Sequence, residues 1–477
     1  MKKIFYLLPF TFLVFFLLQS CKKDTIKTKR KIVLIFNKRT YEKDTLKIGQ
    51  VKSYRQLPPI SYTIEGSYLN YVITPKNINK TDTIIIRSSK NIILSHQYHY
   101  YYNSTFIIKP MDTIIFNYID DVPYVKKISN NSDLNFESKY NINHKVYESS
   151  MEFLIKNGRN RTKEELNNYK NILVDNIKTK LSYFKNLATK IKISNKDFYY
   201  LNNKFLLEYY NLLPLDSMRK KNIKFTNDSL LSLPIYRAFV NKFSIKNFKI
   251  KMIKSSQEIT IDDKSLFDSI LNSQLFSKKT RNYLLYKSLK QIITNYPQQD
   301  VEIYLNKFKE KVNDSTFLKN LNKTYLLDFN KLKNDTKNVN LINLKKEQQI
   351  FNKIINSNKG KLIYIDFWAS WCAPCRSAMP ASRKLHNEFK NKDVTFVYIS
   401  IDRDFNKWEN ASEEENLTFD KYNLLSINYP LANFYKELKL NTIPRYLLYD
   451  KKGKLLHQNA PGPKGKDIRL LLNKYLK

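Results

Sequence analysis

The sequence predicts a multidomain protein with an N-terminal β-sandwich-like region, a helical middle region and a C-terminal α/β region. Three observations predict it. Short β-branched runs, punctuated by Asn, Asp, Ser and Pro, recur at roughly 8–12-residue spacing up to about residue 125. A helical apolar period then replaces them. Near the C-terminus an apolar run, residues 361–368, leads into Trp371-Cys372-Ala373-Pro374-Cys375 and a helix-like stretch over 376–390. The chain has 477 residues, 42% of them hydrophobic, enough for several buried cores.

Residues 1–20 are a targeting segment rather than part of a fold. Lys2 and Lys3 precede an apolar run over residues 4–18 that is broken only by Pro9 and Thr11. The run is shorter than the ~20 residues a spanning helix needs. Leu18-Gln19-Ser20-Cys21 follows and resembles a bacterial lipoprotein signal. The resemblance implies cleavage before Cys21, lipidation of that cysteine and attachment to a bilayer. The alternative is an uncleaved anchor helix with an incidental cysteine. Either reading places the rest of the chain outside the cytoplasm, and neither says which membrane holds it.

Lys and Arg number 83 against 43 Asp and Glu, a formal net charge of +40. The excess is diffuse. Residues 351–477 carry 22 basic and 13 acidic residues, net +9, and the other +31 is spread over residues 1–350 without a basic block. Lysine is accompanied by frequent Asn, Ile, Tyr and Phe and only 7 glycines. A lysine-rich surface explains this better than a nucleic-acid face, so no nucleic-acid partner is expected.

Residues 21–30 are polar and basic, a short tether. Residues 31–130 form the β-rich region, with strands expected over 31–36, 69–74, 82–87, 106–109 and 112–117, arranged as a small antiparallel sandwich. His96 and His99 lie in an aromatic strand-like run there and are expected to be structural. Residues 131–335 are helical. Leu166, Tyr169, Leu173, Ile177, Leu181 and Phe184 recur at steps of three and four, behind a capping box made by Thr162 and Glu165. Phe198, Leu201, Phe205 and Tyr209 mark a second helix, opened by Ser194 with Asp197. Such aromatic stripes are core. Residues 333–340 are polar and are expected to form a linker to a last domain over 341–477.

In that last domain two cysteines with two residues between them lie where a strand turns into a helix. This is the arrangement of a dithiol that closes and reopens. If Cys21 is lipidated, Cys372 and Cys375 are the remaining thiols. An extracytoplasmic chain that keeps one such pair uses it for exchange. Cys372 falls at the start of the helix, where unpaired N–H groups and the dipole favour a thiolate. It is expected to be the more exposed cysteine and the nucleophile. Cys375, one turn further in, is the resolving thiol. Arg376 adds positive charge beside them. Half a zinc site is the competing reading of Cys-x-x-Cys, but no second cysteine pair and no histidine pair at suitable spacing exists, so no metal is expected.

Residues 366–376, Asp-Phe-Trp-Ala-Ser-Trp-Cys-Ala-Pro-Cys-Arg, resemble the active-site segment of the thioredoxin superfamily. The resemblance is closest to the TlpA/ResA-like extracytoplasmic thiol–disulfide oxidoreductases, and it covers about 130 residues of this chain. It implies a thioredoxin-like fold with a helix-kinking Pro380. It also implies a cis-proline loop at Thr442-Ile443-Pro444, facing the cysteines, and a substrate face at Trp371 and Ile443. An inserted α/β segment, from Asp402 to about Leu431, precedes that loop. Asp366 matches the buried acid that exchanges a proton with Cys375; the alternative is a strand-end aspartate that solvates or caps. The ResA-like group often carries a glutamate three residues after the second cysteine, and Ala378 stands there instead, so Asp366 is the one well-placed acid. Ala373-Pro374 is similar to the dipeptide of reducing thioredoxins, near about −270 mV, rather than to that of the oxidant DsbA, near about −120 mV.

The expected function is reduction of protein disulfides on the periplasmic side of a cell envelope. No cofactor beyond the Cys372–Cys375 disulfide is implied. The implied partners are disulfide-bearing envelope proteins, a membrane thiol electron donor and the bilayer. The alternative is an envelope binding or scaffold lipoprotein that carries the redox domain as sensor or passenger.

Overall fold

The computed structural model describes residues 29–38, 60–75, 80–98, 102–119, 122–127, 162–190, 195–212, 225, 227–250, 252–254 and 259–477. The signal-like segment, Cys21, His99 and Ser194 lie outside the described residues. Two compact units divide the chain, residues 1–152 and residues 153–477.

Among the described residues the first unit holds eight strands: β1 (Arg30–Phe36), β2 (Ile60–Ile64), β3 (Tyr71–Ile73), β4 (Asp82–Ser88), β5 (Ile92–Tyr98), β6 (Tyr102–Ile108), β7 (Thr113–Ile119) and β8 (Val122–Lys127). They form two four-stranded sheets, ordered β4-β1-β7-β8 and β3-β2-β5-β6. Burial alternates along β1, the signature of a strand with one face in a core. Ile32, Leu34, Ile114 and Phe116 of the first sheet join Ile60, Leu94, Phe106 and Ile108 of the second in one cluster. Pairing is not antiparallel throughout: β1 and β7 run parallel, Val33 opposite Thr113, because β7 returns to β1 only after the second sheet has been built. His96 is buried among Phe36 and Phe116 and lies 3.0 Å from the Tyr118 hydroxyl.

The second unit begins with helices. Helix α1 (Lys163–Lys190) opens with the capping box: Thr162 N–H donates to Glu165 at 2.9 Å and Glu165 N–H to the Thr162 hydroxyl at 3.1 Å. Helix α2 (Asn195–Leu212) brings Phe198 and Phe205 against Phe184, each pair of ring centroids 5.3 Å apart. Helices α3 (Pro234–Asn247), α4 (Asp263–Leu271), α5 (Lys278–Asn295), α6 (Gln298–Lys311), α7 (Ser315–Thr324) and α8 (Phe329–Asp335) follow, with a small hairpin, β9 (Met252–Lys254) and β10 (Ile259–Ile261), between α3 and α4. Asp262, Ser277, Asp314 and Asp328 cap α4, α5, α7 and α8 by accepting backbone N–H groups.

The α/β part consists of β11 (Asn340–Ile342), β12 (Gln348–Ile350), α9 (Phe351–Ser357), β13 (Leu362–Trp368), α10 (Ala373–Phe389), β14 (Val394–Ser400), α11 (Phe405–Glu414), β15 (Asn423–Ser426), α12 (Asn433–Glu437), β16 (Arg445–Tyr449), β17 (Leu455–His457) and α13 (Lys466–Leu476). Its seven-stranded sheet runs β12-β11-β15-β14-β13-β16-β17. Strands β13, β14 and β15 are parallel, and β16 is antiparallel to β13. All seven residues of β13 are buried, so both faces are covered, which explains a run that is apolar apart from Asp366. Leu362, Ile363, Ile365 and Phe367 share a core with Met379 and Leu385 of α10 and Ile468 and Leu472 of α13.

The expected linker over residues 333–340 is replaced by ordered structure. The end of α8, a 3₁₀ turn over Thr336–Asn338 and the first residue of β11 occupy it. Lys333, Asn334, Lys337, Asn338 and Asn340 are exposed, but Asp335 and Thr336 are buried, and Leu332 and Val339 sit in the sheet's own core. The helical part therefore docks directly on the α/β part. Gln458 Nε2 donates to Ile293 O at 2.8 Å, and His457 Nε2 lies 3.1 Å from Asn295 O, at the C-terminal end of α5. The Asn459 N–H donates to His457 Nδ1 at 3.3 Å, so Nε2 carries the proton and donates to the carbonyl.

Burial, assisted by the nearby Arg445 charge, pushes the His457 pKa down to about 4; the Asn295 bond and Asp300 act in the opposite sense. A histidine that is neutral when folded and charged when unfolded stabilises fully above pH ~6.5 and loses that contribution as pH falls towards about 4. His457→Gln should lose up to about 3 kcal/mol less than the parent over that interval in denaturant unfolding. Parallel pH curves for the two proteins would contradict the assignment.

Candidate active site

Strand β13 ends at Trp368, and residues 369–372 turn the chain into α10. Cys372 is the N-cap of α10, with φ −88° and ψ 90°, and its sulfur accepts the Cys375 N–H at 3.2 Å. Ala373 and Pro374 occupy the first turn, where a proline's missing donor costs nothing. The Arg376 N–H donates to Cys372 O at 3.0 Å and closes that turn. Cys372 and Cys375 are joined as a disulfide, with Cα atoms 5.2 Å apart. Pro380 lies within α10.

Cys372 is 4% exposed and Cys375 1%, so the expected contrast in exposure is slight in the disulfide form. Trp371, which precedes the pair, is 66% exposed and presents an open indole at the site. Arg376 does not act as a free cation beside the dithiol. Its Nε donates to Glu415 at 2.9 Å and its terminal nitrogen to Glu414, both at the end of α11. With its charge offset by the two glutamates, Arg376 leaves the N-terminus of α10 as the feature that favours a thiolate at Cys372.

A clamp that sequence reading missed fixes the turn. The Ser370 N–H and hydroxyl donate to the two carboxylate oxygens of Asp402 at 2.8 and 2.7 Å. The Ser400 hydroxyl donates to the same carboxylate at 2.7 Å. Asp402 is buried, just past the C-terminal end of β14, and holds the backbone two residues before Cys372. The usable signal was positional: an acid immediately beyond a parallel strand stands where such sheets gather their site residues.

Asp366 is buried in the middle of the sheet, level with Tyr398 of β14 and Tyr446 of β16. The Tyr398 hydroxyl meets Ser382 of α10 at 3.3 Å, so this is the face that α10 covers. Neither Asp366 carboxyl oxygen has a hydrogen-bond partner among the described residues. Burial pushes its pKa up to about 8. The group therefore carries a proton through neutral pH and releases it just above, the range needed to trade protons with a thiol. Ala378, on the buried side of α10, offers no acid.

The Ile443–Pro444 peptide is cis. Arg445 pairs with Phe367, which puts Pro444 at the end of the sheet where β13 delivers Cys372. Ile443 is half-buried against the same core. A second cis peptide, Tyr429–Pro430, carried no readable signal. Residues 402–431, expected as an inserted segment, contain α11 and β15, and β15 extends the sheet beside β14.

Residues 360–455 match the family model described as thioredoxin-like. A thioredoxin from Coprinus comatus is 38% identical over 72 residues, 15% of this chain and 66% of that protein. The thiol–disulfide oxidoreductase ResA of Bacillus thuringiensis subsp. konkukian is 27% identical over 124 residues, 25% of this chain and 64% of its own. The crystal structure of the thioredoxin domain of a Bacteroides vulgatus thiol–disulfide oxidoreductase is 26% identical, with 29% of this chain and 92% of that one covered and a TM-score of 0.25. The chain thus spans slightly under two thirds of these two curated relatives. The C-terminal part of the protein is a thioredoxin-like domain similar to that of the ResA thiol–disulfide oxidoreductases, with Cys372 and Cys375 as its dithiol pair.

Proposed function

We propose that the protein is a thiol–disulfide oxidoreductase, lipid-anchored on the periplasmic side of the cell envelope, that reduces disulfides in other envelope proteins. The observation that carries this reading is the Cys372–Cys375 disulfide at the N-terminus of α10, above a buried and unpartnered Asp366. In the reduced protein the Cys372 thiolate attacks one sulfur of the substrate disulfide. A mixed disulfide forms, and the substrate's other sulfur leaves and takes up a proton. Cys375 passes its proton to the ionised form of Asp366, which becomes populated as pH approaches about 8, and attacks Cys372 Sγ. The second substrate thiol is released, and the pair closes as the disulfide. Two electrons have moved from the dithiol to the substrate, and a membrane thiol donor returns them.

Trp371 and Ile443 flank the dithiol as the surface that meets the substrate. The Ala373-Pro374 dipeptide supports a reducing poise. Cys21 carries the lipid in this reading, on the strength of the signal-like residues before it. No cofactor beyond the dithiol takes part.

Two outcomes test the proposal. Cys375→Ser should accumulate a mixed disulfide at Cys372 with a reducible protein substrate, and Cys372→Ser should not; the wild-type potential should fall below roughly −230 mV. Absence of any redox transition would leave an envelope binding protein instead. Asp366→Asn tests the proton acceptor. An acid whose folded pKa is raised destabilises the fold progressively as pH rises through the gap. Between pH ~6.5 and ~8 the parent should therefore lose about 2 kcal/mol that the variant does not. The variant should also lose the rise in resolution rate near pH ~8. Unchanged slopes in both would remove Asp366 from the mechanism.

A further inference from the structure

The loop that carries Pro444 is strung between two anchors, and both rest on the helical part of the chain. The first is Lys439. It follows α12 in the left-handed region, φ 54°. Its N–H donates to Lys436 O at 3.1 Å, and the Leu440 N–H donates to Tyr435 O at 3.0 Å, which closes α12. Its half-buried ammonium reaches the C-terminal end of α7 and donates to Leu326 O at 2.8 Å and Asn322 O at 3.3 Å. Those carbonyls are at the negative end of the helix and favour a cation. Glu437, two residues earlier, pairs with Lys331 of α8.

The second anchor is Arg445, the residue after Pro444. Its Nε donates to Gln458 O at 2.8 Å, and the Gln458 side chain donates in turn to Ile293 O of α5 at 2.8 Å. His457 holds Asn295 O beside it. Only residues 440–444 lie between the two anchors. They include Ile443, which the resemblance assigns to the substrate face, and Pro444, which it sets facing the cysteines.

We propose that the helical part is the positioning platform of the cis-proline loop, with Lys439 and Gln458 as the positioning residues that set residues 440–444 against Cys372 for a protein disulfide. This rests on the oxidoreductase reading above. It gives the helical region a task in that reaction: a small disulfide reaches Cys372 without the loop, whereas a protein disulfide must be held by it.

The test uses the full chain in detergent and compares wild type with Lys439→Met, which keeps the aliphatic stem and removes the donor. Three readouts are taken: turnover with insulin, exchange with dithiobis(nitrobenzoate), and amide hydrogen exchange of residues 440–444. The variant should raise KM for insulin about tenfold or more with little change in kcat. Its loop amides should exchange faster, while the small-disulfide rate and the reduction potential stay unchanged. Lys439→Arg should restore the wild-type behaviour. A folded Lys439→Met with wild-type loop exchange and wild-type KM overturns the proposal. If that variant fails to fold, Gln458→Met is measured in its place against the same two outcomes. A wild type inactive on both disulfides refutes the oxidoreductase reading, and loop exchange then still decides whether the platform exists.

Discussion

Cys372 occupies the N-cap of α10, and the Cys375 N–H is directed at its sulfur. An N-cap must supply an acceptor to a helix end whose first N–H groups have no partner within the helix. Serine, threonine, aspartate and asparagine usually supply it; here sulfur does. A thiolate accepts better than a thiol, so the need of the helix end is the same as the need of the nucleophile. The surrounding structure delivers the sulfur to that point. Strand β13, buried on both faces, fixes where the turn begins, and Asp402 fixes the backbone at Ser370. Pro374 sits in the first turn, where it removes no hydrogen bond.

The electrostatic design around this cap is sparse. Arg376 is neutralised by Glu414 and Glu415, and no other group competes with the helix end in the bonds described at the sulfur. Asp366 is kept unpaired and uncharged in the sheet interior, an arrangement that lowers stability at neutral pH. Such an unpaired buried acid is costly, and proton exchange with Cys375 is the work the proposed mechanism assigns to it. The helical part adds a mechanical element. It covers β17 and α12 and, through them, reaches both ends of the loop that bears Pro444.

Much of the site was legible because its chemistry is local. The cysteine spacing, the apolar run of β13, Pro380 and the prolyl loop before β16 are each encoded within a few residues. The Thr162–Glu165 capping box is equally local, and it forms as read. What escaped depends on contacts between distant residues. Asp402 meets Ser370 across 32 positions, and Lys439 meets Leu326 across 113. Both look like solvated surface residues in isolation. Residues 333–340 were misread for the same reason: their polar composition suggested a linker, while Leu332 and Val339 pin them to the core. The parallel pairing of β1 with β7 is a matter of chain order across two sheets, which strand periodicity cannot encode.

The most direct measurement is the pH dependence of alkylation of Cys372 in the fully reduced chain, by iodoacetamide with the modified residue identified by mass spectrometry. A thiolate held by the start of α10 should give a midpoint below about 7.5. A midpoint near the ordinary thiol value of about 8.5 or above would contradict the claim that the N-cap position activates Cys372.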